Sequence, residues 1–198
     1  VSSPAIRIEP VPRTRGYPTA WWGMVVLITT EAMVFIALLA SYFFVRAGAS
    51  KWPPPGIPLP ELHRSVVFTV VLLGSSIPIF WMEYALVRGH MRQVAVSLAI
   101  AFLMGLAFLG NTVYDYLNQE FGLRENAYAS LFWVILGLHA IHVLVGLLMS
   151  ATVQVKVWTG RVTPEHHVTP EVFALYWHFV DGVWVFVFAT LFLSPHLR

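Results

Sequence analysis

Five apolar runs, each long enough to cross a bilayer, decide what this chain can become. A helix needs about 20 mainly apolar residues to span roughly 30 Å of hydrocarbon. Runs of that kind occupy about residues 21–45, 66–87, 94–117, 127–157 and 173–193. Leu, Phe, Val, Ala and Trp dominate them, and the period-two alternation of a membrane barrel is absent. With 58% hydrophobic and 11% charged residues, the chain lacks the charge to cover a soluble globule and the polarity of a disordered one. The reading is an all-α polytopic membrane protein, a bundle of five transmembrane helices. Residues 1–20 are expected to form a polar tail without the apolar core of a signal peptide, and residues 21–198 a single membrane domain. The fourth run is too long for one perpendicular crossing, so it is expected to tilt or to project into water.

The connections carry stop signals. Residues 51–60 hold five prolines, which cannot continue a helix, and Pro78 inside the second run should kink it. Arg88-Gly-His-Met-Arg92 is a tight basic turn. Trp21, Trp22, Trp52, Trp158 and Tyr17 stand at run ends, where interfacial anchors belong. Five crossings put the termini on opposite sides. Arg7, Arg13, Arg15, Arg88, Arg92, Lys156 and Arg161 fall on the N-terminal side, against Arg46, Lys51, Arg64, Arg124 and Arg198 on the other. That surplus favours a cytoplasmic N-terminus. A formal net charge of +2 provides no basic face for nucleic acid, and the absence of cysteine removes disulfides, thiolate metal sites and a thiol nucleophile.

Ionisable groups inside the runs are the candidate site, because each costs about 2.5–3.5 kcal/mol on insertion scales. Glu31 lies near the middle of the first run, His139 and His142 near the middle of the fourth, and His178 and Asp181 in the fifth. Glu83 and Asp115 are close enough to run ends for water or headgroups to reach. His139 and His142 are three residues apart and share a helix face, as do His178 and Asp181, which can bond directly. Depths at about 1.5 Å per residue permit a contact between Glu31 and His142. Three readings of these five residues stand open. They form a buried hydrogen-bond network that locks helices together. They hold a haem or a metal ion, with His178 as a second axial ligand because histidines three apart cannot bind opposite faces of one haem. Or they belong to a proton path through Glu31. His90, His166 and His167 lie in the loops of the N-terminal side, where imidazoles titrating near neutrality form a candidate proton antenna. Gly74, Ser75, Ser76, Ala101, Gly105, Gly110, Gly137 and Gly146 allow close helix contact.

Taken together the strings resemble one family. Tyr176-Trp-His-Phe-Val-Asp-Gly-Val-Trp-Val-Phe186 resembles the last-helix signature of subunit III of haem–copper oxidases, and Leu138-His-Ala-Ile-His-Val-Leu-Val-Gly146 its H-x-x-H-V-x-x-G helix. Glu31 in Thr30-Glu-Ala-Met-Val-Phe35 matches that family's buried, carbodiimide-reactive glutamate; Trp52-Pro-Pro-Pro55 and Tyr128-Ala-Ser-Leu-Phe132 fit in the same order. Five spans resemble the shorter bacterial type, which lacks two N-terminal helices of the seven-helix form, and Asp115 stands where the family usually has Glu. The resemblance implies an accessory subunit of an oxygen-reducing, proton-pumping oxidase in the bacterial plasma membrane. Haem and copper would sit on partner subunits and no cofactor on this chain. Its partners would be subunit I by direct packing, subunit II, a small subunit IV and bound phospholipid. Support of proton uptake and of oxygen access through lipid would be its contribution. A self-contained haem- or metal-binding membrane enzyme using His139, His142 and His178, or the related accessory subunit of a nitric oxide reductase, are the alternatives.

Overall fold

A computed structural model describes residues 17–163 and 167–197. Six α-helices make up most of it: α1 (Thr19–Ala47), α2 (Leu62–Gly74), α3 (Ser76–Val87), α4 (Met91–Leu117), α5 (Ala127–Trp158) and α6 (Val168–Phe188). With α2 and α3 joined as one crossing, five helical segments are long and apolar enough to span a membrane. The helices outrun the apolar stretches, because a backbone continues to bond after hydropathy falls. The second crossing starts at Leu62, directly after the last proline of the 51–60 loop and its Glu61 cap. α6 starts at Val168, five residues ahead of the expected boundary, with Pro170 and Glu171 in its first turn. A proline there forfeits only an N–H that has no helical partner, and a carboxylate is favoured at the positive end of the helix.

The kink expected at Pro78 is a break three residues earlier. Proline lacks the N–H that would bond the carbonyl of Gly74, so the ladder fails at that turn. Ser75 closes the gap: its N–H bonds the carbonyls of Leu72 and Val71 at 2.9 and 3.1 Å, and its hydroxyl donates to Leu72 at 2.6 Å. α6 runs through the middle of the bundle, packed against α1, α3 and α5, while α4 bridges α3 and α5. α1 is peripheral, with only Phe35 and Tyr42 buried.

Trp177 of α6 is the centre of the packing. Its ring is fully buried, and its Nε1 donates to Ser75 Oγ at 2.8 Å, which ties α6 to the break between α2 and α3. Two glycines make room for it. A Cβ on Gly105 of α4 would lie 2.6 Å from Cη2 of the indole, and one on Gly146 of α5 would lie 2.9 Å from Cε3 and Cζ3. Trp52 corrects one expectation. It is no lipid anchor but turns inward, donating to the Tyr42 hydroxyl at 2.9 Å with its ring edge-on to Tyr42 and Tyr128. Trp22 and Trp158 do stand exposed at helix ends.

Candidate functional site

The five ionisable residues of the spans do not form one cluster. Glu31 of α1 and His142 of α5 meet, with Oε2 3.2 Å from Nε2. His142 Nδ1 lies 2.8 Å from the Leu138 carbonyl, which can only accept, so Nδ1 carries a proton. Nε2 therefore either accepts from a protonated Glu31 or, in the imidazolium, donates to its carboxylate. Either way the pair shares one further proton across the α1–α5 contact. The Tyr176 hydroxyl donates to the His142 carbonyl at 3.2 Å, and Phe35 packs edge-on to the imidazole at 5.2 Å. The Glu31 side chain keeps 36% of its surface exposed against 10% for His142, so the carboxyl opens from the bundle midway along α1.

His139, one turn away, takes no part. It is fully buried between Trp184, Phe108 and Phe35, at ring distances of 4.8, 5.9 and 6.4 Å. Neither ring nitrogen has a hydrogen-bond partner among the described residues.

The direct His178–Asp181 bond expected from their spacing does not form. Both side chains turn to Ser76, the first residue of α3. The Ser76 hydroxyl donates to Asp181 Oδ2 at 2.5 Å and lies 3.2 Å from His178 Nδ1. Having spent its one proton on the carboxylate, that oxygen accepts from Nδ1–H. Phe80 stacks on the imidazole at 4.4 Å, and Glu83 Oε2 approaches its Nε2 to 4.0 Å, too far to bond. The helix break explains the arrangement, because it brings Ser76 level with α6. Ser76 and Glu83 are seven residues apart and therefore share a face, a signal that sequence reading passed over.

At the end of the bundle away from the N-terminus lies a cluster that the sequence did not announce. Arg64 Nε donates to Asn111 Oδ1 at 2.6 Å, Asn111 Nδ2 donates to Asp115 Oδ2 at 3.0 Å, and Arg64 Nη1 is 3.5 Å from Asp115 Oδ1. The guanidinium also lies 4.0 Å over the ring of Tyr114. Asp115 is thus held by protein rather than left to water.

A haem or metal on His139, His142 and His178 does not fit this geometry. Among the described residues no three His, Asp or Glu side chains are grouped to hold a metal ion. His142 has both nitrogens engaged, His139 faces aromatic rings, and His178 faces α3. At the opposite end of the bundle from Arg64, His90 is exposed just before α4, and His167 just before α6 has Nε2 3.0 Å from Glu171 Oε1. His166 falls outside the described residues.

The family model described as cytochrome c oxidase subunit III matches residues 16–195, which takes in all five crossings. The chain belongs to that family. Among curated relatives, the cytochrome c oxidase subunit 3 of Thermostichus vulcanus is 33% identical over 175 residues, covering 86% of this chain and 85% of its own length. Those of Cyprinus carpio and Latimeria chalumnae are 31% and 32% identical over 177 residues, covering 86% of this chain and 68% of each relative. This subunit III chain is accordingly a multi-pass membrane protein of the respiratory oxidases, and the Glu31–His142 contact lies within the matched region.

Proposed function

We propose that this chain is the non-catalytic subunit III of a haem–copper terminal oxidase that reduces oxygen to water and pumps protons. It packs against subunit I, accompanies subunit II and a small subunit IV, stabilises the assembly, supports proton uptake, and provides lipid and oxygen access. Haem and copper reside on the partner chains. Cytochrome c, which stands in the name of the curated relatives, is the proposed electron donor to those partners. The bacterial plasma membrane is the location, with the N-terminus in the cytoplasm and residues 21–198 acting as one membrane domain. What carries this reading is the family match running through the membrane crossings, with the Glu31–His142 contact inside the matched region.

Within it, Glu31 and His142 pin α1 to α5, and the Ser76-centred contacts of His178 and Asp181 pin α6 to α3. His90 and His167, with His166, form a proton antenna at the cytoplasmic ends of α4 and α6. Glu31→Gln in the purified oxidase should leave the first turnovers of oxygen reduction intact and hasten the loss of activity over many turnovers. Abolition of the first turnover would overturn the accessory role. Proton uptake should slow when His90, His166 and His167 are replaced by Gln, and unchanged uptake kinetics would remove the antenna. Recovery of the tagged chain from native membranes without a haem-bearing partner would end the whole reading.

A further inference from the structure

Two buried polar atoms of α6, Asp181 Oδ1 and His178 Nε2, have no hydrogen-bond partner among the described residues. Asp181 keeps only 4% of its surface exposed. It lies about 20 Å along α6 from Val168, near the middle of the crossing, where an ionised carboxyl is costly. The proton positions around it follow from the bonds. The Ser76 hydroxyl has one proton, which it donates to Asp181 Oδ2 at 2.5 Å, so its oxygen accepts Nδ1–H of His178 at 3.2 Å. With Nδ1 protonated, the neutral imidazole presents Nε2 as a bare acceptor. That acceptor lies 4.0 Å from Glu83 Oε2. An ionised Glu83 could give it nothing; a protonated one could.

Glu83 stands about 6 Å from the end of α3 at Val87, on the N-terminal side of the bundle. Its side chain is 40% exposed, so it is free to exchange protons with the boundary and to make the movement of about 1 Å that would close a hydrogen bond to Nε2. Glu83, His178, Ser76 and Asp181 thus form a series that leads from that boundary to the interior, each member able both to give and to take a proton. Other titratable groups of the helices packed against α6 are engaged elsewhere. Glu31 and His142 meet each other, Lys156 donates to Thr169, and His139 is enclosed by aromatic rings.

We propose that Asp181 is an intramembrane proton-binding site, loaded from Glu83 through His178 and Ser76. In the loading step the Glu83 carboxyl gives its proton to His178 Nε2, Nδ1 gives its own to Ser76 Oγ, and the Ser76 hydroxyl proton passes to Asp181 Oδ2. Three O–H or N–H bonds break and three form. Glu83 is left as a carboxylate, His178 as the other neutral tautomer and Asp181 as a neutral acid, and water at the boundary reprotonates Glu83. Net charge is unchanged by the transfer, and the negative charge moves from the buried end of the series to the exposed one. The site stands independently of the role assigned to Glu31 and His142.

The test uses the purified oxidase complex in nanodiscs and infrared difference spectroscopy of the carboxylic C=O stretch. A pH titration should reveal a band that is absent at alkaline pH and grows on acidification. Asp181→Asn should remove that band and Asp181→Glu should shift it, which assigns it. Flash photolysis of a caged acid, starting where the band is absent, then measures how fast Asp181 takes up its proton. Glu83→Gln and His178→Asn should each slow the rise by roughly tenfold or more, with the final amplitude at saturating acid retained. The Asn amide can still donate to Ser76 but cannot pass a proton on, and Glu83 is half-exposed with no close bond to His178 to lose, so Glu83→Gln is expected to fold and assemble. A purely structural Asp181–Ser76 contact would leave the rate untouched by Glu83→Gln. Absence of any Asp181 band, a band that persists at every pH, or an unchanged rate in either variant overturns the proposal.

Discussion

Trp177 offers the sharpest test of how the bundle is held, because two glycines on two different helices are matched to one ring. In Gly105→Ala the new methyl would lie 2.6 Å from Cη2, about 0.8 Å inside the 3.4 Å at which ordinary carbon contact begins. Retreat is blocked, since Gly146 on α5 confines another edge of the same ring and the indole N–H is fixed to Ser75. Overpacking of this kind costs about 1–3 kcal/mol. The gain of Ala over Gly in a helix interior returns about 0.8–1.0 kcal/mol, so a net loss of up to about 2 kcal/mol is expected. Replacing the ring removes the obstacle. In a Trp177→Leu background, Gly105→Ala should lose its cost and retain only the helix gain, becoming neutral or stabilising by up to about 1 kcal/mol. The coupling of about 2 kcal/mol stands well clear of the 0.3–0.5 kcal/mol scatter of independent sites. SDS titration in mixed micelles, followed by far-UV circular dichroism, measures all four corners of the cycle. Identical effects of Gly105→Ala in both backgrounds would refute the clamp.

Three other perturbations follow from the polar contacts. Ser76→Ala should destabilise by about 1–3 kcal/mol, because it strands both Asp181 Oδ2 and His178 Nδ1; adding Asp181→Leu should recover part of that loss in the same titration, and a strictly additive double variant would contradict it. His139→Leu should be neutral or stabilising to within about 1 kcal/mol, since the imidazole has no hydrogen bond to lose among the described residues; a loss above about 2 kcal/mol in the unfolding assay would reveal a partner. Arg64→Ala should cost about 1 kcal/mol, reduced by partial exposure, and Asp115→Ala in that background should cost less than in the wild type; equal costs would mean that the two residues do not interact.

The crossings were legible because a bilayer accepts only backbone that bonds to itself within long apolar runs, and that demand writes itself into composition. Boundaries were less so. Leu62 and Val168 begin their helices amid charged or polar neighbours, where hydropathy has already failed but hydrogen bonding has not. Pro78 announced a disturbance, whereas its place at Ser75 follows from the carbonyl four residues earlier, which proline orphans. Gly105 and Gly146 could be read as small residues that permit close packing. That one tryptophan from a third helix fills the space beside both depends on relative helix register, which local periodicity does not contain.

The two polar clusters differ in the same respect. Depth along straight helices permitted a contact between Glu31 and His142, and the two do meet where α1 and α5 each cross without interruption. His178 and Asp181 sit on one helix at a spacing that allows a mutual bond, yet a hydroxyl from the broken crossing comes between them. A side chain three residues away on the same helix competes poorly with a donor that can approach from outside along the carboxylate's own lone-pair direction. A break in a neighbouring helix therefore redirects polar partners as well as backbone. A break in a helix packed alongside thus overrides the pairing that spacing along α6 allows, whereas Asn111 and Asp115, four residues apart on α4, keep theirs.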